Sequence, residues 1–182
     1  MSLDTYIKNP WGTDGNFDTV GTAASGVTAS ESGIGEYHIT TLTVSTTLPA
    51  IAGGAALAVG IPVYTLPAGA QLVEGSYMSM ALTAADGNID ADTPDVGLGT
   101  TIASGAVAVL SGTAAFENIM TGQTATDCSG TATVKTIGTD LGVETAGSHI
   151  VYFNVADTWA ASGETACPVA GTIVLKWVEM AS

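Results

Sequence analysis

From Leu72 to Ala84 the chain changes character at every step. Met78, Met80 and Leu82 fall on one side, and Tyr77, Ser79, Ala81 and Thr83 on the other. A repeat of two is the repeat of a β-strand, whose successive side chains leave opposite faces of the backbone. The same beat returns at Val96–Ile102, at Ser148–Val155 and at Gly171–Met180. Thr-rich or apolar runs at Tyr37–Leu48, Ile61–Leu66, Ala106–Leu110 and Thr131–Ile137 read as further strands, and Thr158–Thr165 as another candidate. Pro49, the Pro67-Ala68-Gly69 turn and the acidic stretch Asp86–Asp95 punctuate them. About eight to ten short strands at this spacing predict an all-β fold, an antiparallel β-sandwich of jelly-roll-like type.

One segment breaks the beat. Ser111 or Thr113 precedes Ala-Ala-Phe-Glu-Asn-Ile-Met, with Glu117 early in the run and Gly122 just past it. That order of cap, acid and glycine predicts one short helix, expected to plug an end of the sandwich through Phe116, Ile119 and Met120. In the strand before it, Val96, Leu98, Thr100 and Ile102 alternate with Gly97, Gly99 and Thr101. One face is therefore bare, and Gly97 and Gly99 are expected to admit another backbone or subunit. The last strand is apolar on both faces. Ile173, Leu175 and Trp177 share one, while Val174, Val178 and Met180 share the other with Lys176. Val174, Val178 and Met180 are accordingly expected to meet covering structure or a second subunit.

Residues 1–36 lack sustained periodicity and read as an extended N-terminal arm, with the sandwich at 37–182. Tyr6, Ile7, Trp11, Phe17 and Val20 are denser than a freely solvated tail keeps and are expected to peg the arm onto a neighbour.

Charge narrows the function classes. The 182 residues hold 3 Lys, no Arg and 17 acidic side chains, a net charge of −14. Neutralising phosphates takes clustered cations, so nucleic acid and anionic membrane surfaces are not expected as partners. The longest apolar run, Ala50–Tyr64, is interrupted by Gly53, Gly54, Gly60 and Pro62. No membrane helix is expected from it. Met1–Gly12 lacks a basic start followed by an apolar run, so no secretory leader is expected. A surface left to Thr, Ser, Gly and Ala is easily desolvated and favours protein partners.

Reactive constellations are sparse. Asp86-Gly87-Asn88-Ile89-Asp90-Ala91-Asp92 spaces oxygen ligands as a calcium loop does, yet it lacks the sixth-position glycine and the closing glutamate, where Gly97 stands. It reads as an acidic, solvated turn. His38 and His149 sit in separate strands, and G-x-S-x-G, G-x-G-x-x-G and P-loop patterns are lacking. No enzyme, cofactor or metal is expected. Cys128 and Cys167, each at the start of a candidate strand, read as two unpaired thiols, with a disulfide between them left open. Trp177 belongs with the core, whereas Trp159, beside small residues and Asp157, is the best candidate for an exposed sugar-stacking aromatic along with Trp11.

The stretch TPDVGLGTTIASGAVAVLSGTAAFENIMTGQTATDCSGTA, with the upstream Leu66-Pro67-Ala68-Gly69 turn, resembles the core of a family of tailed-bacteriophage virion proteins. The shared pattern is an aliphatic-Gly-Thr strand, Ser-Gly-Ala, then a Phe-Glu-Asn-Ile segment ending in glycine, and it runs from about Tyr64 to Thr133. The resemblance implies a capsid decoration or cement protein, jelly-roll-like and trimeric. Its partners would be the major capsid protein and its own copies, and its place the outer surface of the head. A carbohydrate-binding β-sandwich on a virion is the alternative.

Overall fold

A computed structural model of the chain describes residues 21–34, 36–73, 75–113, 115–130, 134–137 and 149–179, with backbone alone at 34 and 134–137. Eleven strands fold among them. They are β1 (Thr22–Ala23), β2 (Val27–Ile34), β3 (Tyr37–Leu48), β4 (Ala56–Leu66), β5 (Ala70–Leu72) and β6 (Tyr77–Leu82), followed by β7 (Asp95–Gly99), β8 (Met120–Thr124), β9 (Val134–Ile137), β10 (His149–Thr158) and β11 (Cys167–Glu179). The first sheet has the order β1-β4-β10-β7-β8. The second has the order β2-β3-β11-β6-β9, and β5 also pairs with β11.

Every pairing is antiparallel, and the pairs are nested. β3 lies on β11, β4 on β10, β6 on β9 and β7 on β8. The first half of the chain is laid against the second in reverse order, and the doubled ribbon wraps into two facing sheets, the pairing of a jelly roll. The expected β-sandwich is the fold observed.

Alternation decides which side chains fill the space between the sheets. On β3 the residues from His38 to Val44 sink at every second position, and on β11 Ile173, Leu175 and Trp177 are fully buried. Met78 and Met80 join them from β6, and Leu66, Leu98, Phe153 and Val155 face them from the first sheet. An aromatic such as Trp177 or Phe153 removes on the order of 200 Å² from water, about 5 kcal/mol of transfer free energy each. The strand containing Pro62 is longer than expected, starting at Ala56 rather than Ile61. Pro62 is exposed and stands opposite Tyr152, where the β4–β10 register shifts. A residue without an N–H is tolerated where the ladder is already broken.

Several expectations are corrected. Residues 22–34 do not belong to an arm: β1 pairs with β4, β2 pairs with β3 along its length, and the Gly21 N–H donates to the Tyr64 hydroxyl at 2.8 Å. Their small polar side chains carry no apolar beat because β2 is an edge strand with Val27 as its buried aliphatic. Tyr6, Ile7, Trp11, Phe17, Val20 and Met180 lie outside the described residues. Thr158–Thr165 is not a strand. β10 ends at Thr158, and Glu164 makes a single bridge to Ile51.

No helix is present among the described residues. Ala115 takes a positive φ of 59°, a left-handed conformation that interrupts a helix. Its carbonyl accepts the Thr100 and Thr101 N–H groups. Met120, expected in the helix, begins β8. Ala106–Leu110 is likewise no strand. Residues 100–113 and 115–119 instead form a cover segment across the outer side of the first sheet. Ala103, Leu110 and Phe116 pack there with Ala58 and Ala156, with Val107 beside them, as a small second core.

Asn154 fastens this cover. It is fully buried on the outward side of β10, between Gly60 and Gly97 of the neighbouring strands. Its Oδ1 accepts the Ala103 N–H at 2.8 Å, and its Nδ2 donates to the Thr101 and Phe116 carbonyls at 2.9 and 2.7 Å. The glycines make the room: a Cβ on Gly99 would lie 2.2 Å from the Ala115 carbonyl oxygen, and one on Gly97 2.9 Å from that of Met120. The close approach expected at Gly97 and Gly99 is thus made by the chain's own cover segment, which occupies the side a second subunit would have needed. Asn154→Ala strands one N–H and two carbonyls in a buried place, at about 1–3 kcal/mol for each group that water cannot reach. The expected outcome is a loss of roughly 3 kcal/mol or more in urea unfolding, with amide exchange accelerated first in residues 100–119. Unchanged protection of the Ala103 amide would contradict this.

Candidate functional site

The acidic turn is built around another residue's carboxylate. Glu164 is 3% exposed, and its two oxygens accept the Asp86 and Asn88 N–H groups at 2.7 and 3.2 Å. The Asp86 carboxylate accepts the Thr165 hydroxyl at 2.6 Å, which holds its pKa below the usual value. Asp92 accepts the Ala160 N–H at 2.9 Å, and Ile89 is buried beneath the turn. Asp86 and Asp90 do face solvent, as expected. Among the described residues no three His, Cys, Asp or Glu side chains converge to hold a metal ion.

A cleft of about 430 Å³ opens beside the cover segment, lined by Thr93, Asp95, Val109, Glu117, Thr124 and Asp157 among others. Burial raises the Asp95 and Asp157 carboxyls, and the negative charges of Asp92 and Asp95 add to the effect at Asp157. Each carboxylate is engaged by the chain's own amides. Asp95 accepts the Leu110 N–H at 2.7 Å, Glu117 accepts that of Gly122, and Asp157 that of Thr158 at 2.7 Å. Their work is to hold the cover segment and the strand ends in place.

Between the sheets lies a polar network. The Trp177 indole N–H donates to the Thr40 hydroxyl at 2.8 Å, and Thr40 in turn donates to the Glu31 carboxylate at 2.8–3.0 Å. His38 stacks on Trp177 with ring centroids 3.8 Å apart, its Nδ1 3.2 Å from Glu31. His149 stands in the other sheet, on β10. Burial raises the Glu31 carboxyl and the Tyr64 phenol, and lowers the His38 imidazole against the opposing pull of Glu179.

The cysteines and tryptophans are structural. Ala84 has Cys128 across from it on one side, through the Ala84 N–H to Cys128 carbonyl bond. On the other side the β6–β11 register places Cys167. Two strand spacings, about 9.6 Å, separate the two backbones, beyond the roughly 7 Å Cα limit for a disulfide. Both are free, as expected. Burial raises the Cys128 thiol and pushes Cys167 up to about 11. Trp177 is in the core as expected, but Trp159 is not an exposed platform. It is 2% exposed, and its indole N–H donates to the Leu57 carbonyl at 2.8 Å. The residues that organise these regions, Asn154 and Glu164, escaped the sequence reading. Asn154 stood in an otherwise apolar strand, which was a usable signal; Glu164 had none.

The surface that remains is the outer side of the second sheet. Paired rows cross it: Ser32, Ile39 and Lys176; Ser30, Thr41, Val174 and Tyr77; Thr28, Thr43, Thr172 and Ser79; Ser45, Ala170 and Ala81. Tyr37 and Val178 close one end. Among the described side chains no carboxylate stands at these outward positions, and Lys176 is the charged one. Val174 is 6% exposed, whereas Tyr37 and Tyr77 are 38% and 43% exposed. No cover segment among the described residues lies on this side. Comparison with protein-family models, with curated proteins and with solved structures finds no match to the chain.

The internal network sets a pH dependence. A raised carboxyl favours the fold below its unfolded pKa and loses that contribution as pH rises through the folded one; a lowered imidazole does the reverse. On acidification from neutral pH, Glu31 therefore adds stability while His38 removes it. Glu31→Gln, lacking the first contribution, should lose more thermal stability than the parent protein between pH 7.5 and pH 4. Parallel melting curves would refute the assignment.

Proposed function

We propose that this protein is a structural component of a tailed-bacteriophage virion, a decoration or cement protein that binds the outside of the head as a homotrimer and braces the joints between capsomers. The observation that carries the reading is the outer side of the second sheet. In a chain of net charge −14, no carboxylate among the described residues stands at the outward positions of this face, which hold Thr, Ser, Ala, Val, Ile and Tyr with Lys176. Such a face loses little on desolvation and little side-chain entropy on contact, as a protein–protein surface requires. The resemblance of the central stretch to phage virion proteins supports the same reading, and jelly rolls are a frequent architecture of viral shells. Fold alone does not choose among their functions.

The mechanism is cohesion. Surface buried across a joint resists opening of the joint by the pressure of packaged DNA. The acidic loops at the end of the sandwich, with Asp86, Asp90 and Asp127, suit an outward placement away from that DNA. The aromatic pegs of residues 1–20 would engage the neighbouring capsomer, and burying two or three such side chains is worth several kcal/mol.

The test uses phage heads stripped of their decoration protein. The full chain should co-sediment with them and raise the temperature at which they release DNA. Removing residues 1–20 should leave the melting transition of the sandwich in place and weaken head binding by at least about tenfold, roughly 1.4 kcal/mol. Failure of the full chain to bind any such head would sink the reading.

A further inference from the structure

We infer that copies of this chain meet one another through the outer face of the second sheet. The inference rests on the decoration-protein reading for the expectation that copies associate, and the choice of face rests on charge and area.

Each copy carries a net charge of −14. Two carboxylates brought to about 6 Å at a surface, with an effective dielectric near 20, repel by roughly 3 kcal/mol. The opposite side of the sandwich holds Asp95, Glu117 and Asp157 around its cleft, and the end loops hold Asp86, Asp90 and Asp127. Contact between copies through either region sets several such repulsions against association. Contact through the described outward positions of the second sheet sets none.

The face is also large enough. With a rise of about 3.3 Å per residue and a spacing of about 4.8 Å between strands, its strands present on the order of 700 Å². That approaches the roughly 800 Å² per partner of a standard specific interface. Tyr37 and Tyr77 supply aromatic anchors, exposed as interface anchors are before association. The centre, at Thr43 and Thr172, has short side chains that lose little freedom on contact.

Light scattering on the full chain at micromolar concentration tests this. We expect an oligomer. Thr43→Glu, which sets a carboxylate at the centre of the face, should raise the dissociation constant at least about tenfold. Ser104→Glu, on the exposed cover segment, should leave it unchanged. A monomeric parent protein, or an oligomer indifferent to Thr43→Glu, overturns the inference. Should Thr43→Glu fail to fold, acetylation of Lys176 in the parent protein decides: protection that disappears on dilution supports the face, and equal reactivity at all concentrations refutes it. Head binding is read separately. A Thr43→Glu protein that stays oligomeric but no longer binds heads assigns the face to the capsid protein and overturns the inference alone. A parent protein that assembles through this face yet ignores heads overturns the decoration reading alone.

Discussion

The twelve-residue ladder between β3 and β11 joins the first long strand of the chain to its last, and the rest of the sandwich hangs on it. β11 is also the partner of β5 and β6, so one strand carries three pairings of its sheet. Its inward residues Ile173, Leu175 and Trp177 form the floor on which the other sheet packs. The β3–β11 ladder cannot form until residues more than a hundred positions apart have met. Closing so long a loop costs entropy before any burial offsets it, and folds of this kind are slow to form. The polar network follows from the same ladder. His38 faces Trp177 across it, and Thr40 lies one pair of positions further along on the same side.

Much of this was legible in the amino-acid sequence because strands advertise themselves when one face is wet. Met78, Met80 and Leu82 marked β6, whose burial alternates, whereas Val96 and Leu98 marked β7 because glycines stand between and after them, although both its faces are covered. Legibility failed where the partner was remote. Phe-Glu-Asn-Ile has helical credentials locally, but the Phe116 carbonyl is claimed by Asn154, 38 residues away, and the local turn gives way to it. The acidic loop looked like a ligand site because the carboxylate that fills it, Glu164, lies 78 residues downstream of Asp86. Trp159 looked exposed beside its small neighbours, yet Leu57, 102 residues earlier, takes its N–H. β1 and β2 failed for the opposite reason: edge strands of small polar residues bury too little to leave a pattern.

The two sides of the sandwich have been treated differently by the same chain. The first sheet has its outer side sealed by the cover segment, whose carboxylates and Asn154 are consumed in holding backbone amides. The second has its outer side left without carboxylate and without cover among the described residues. A sheet face that neither repels nor commits its polar groups internally is open to contact, and the separation of these two roles is what supports the cohesive function proposed above.

The two buried thiols have a practical corollary. With both sulfurs enclosed and their ionisation disfavoured by burial, neither is expected to react with maleimides or iodoacetamide in the folded chain. A cysteine introduced on an exposed loop, for instance at Ser104, would be the reactive thiol of the folded chain. The sandwich can therefore take a dye, spin label or cross-linker at a chosen place without first being stripped of its native cysteines.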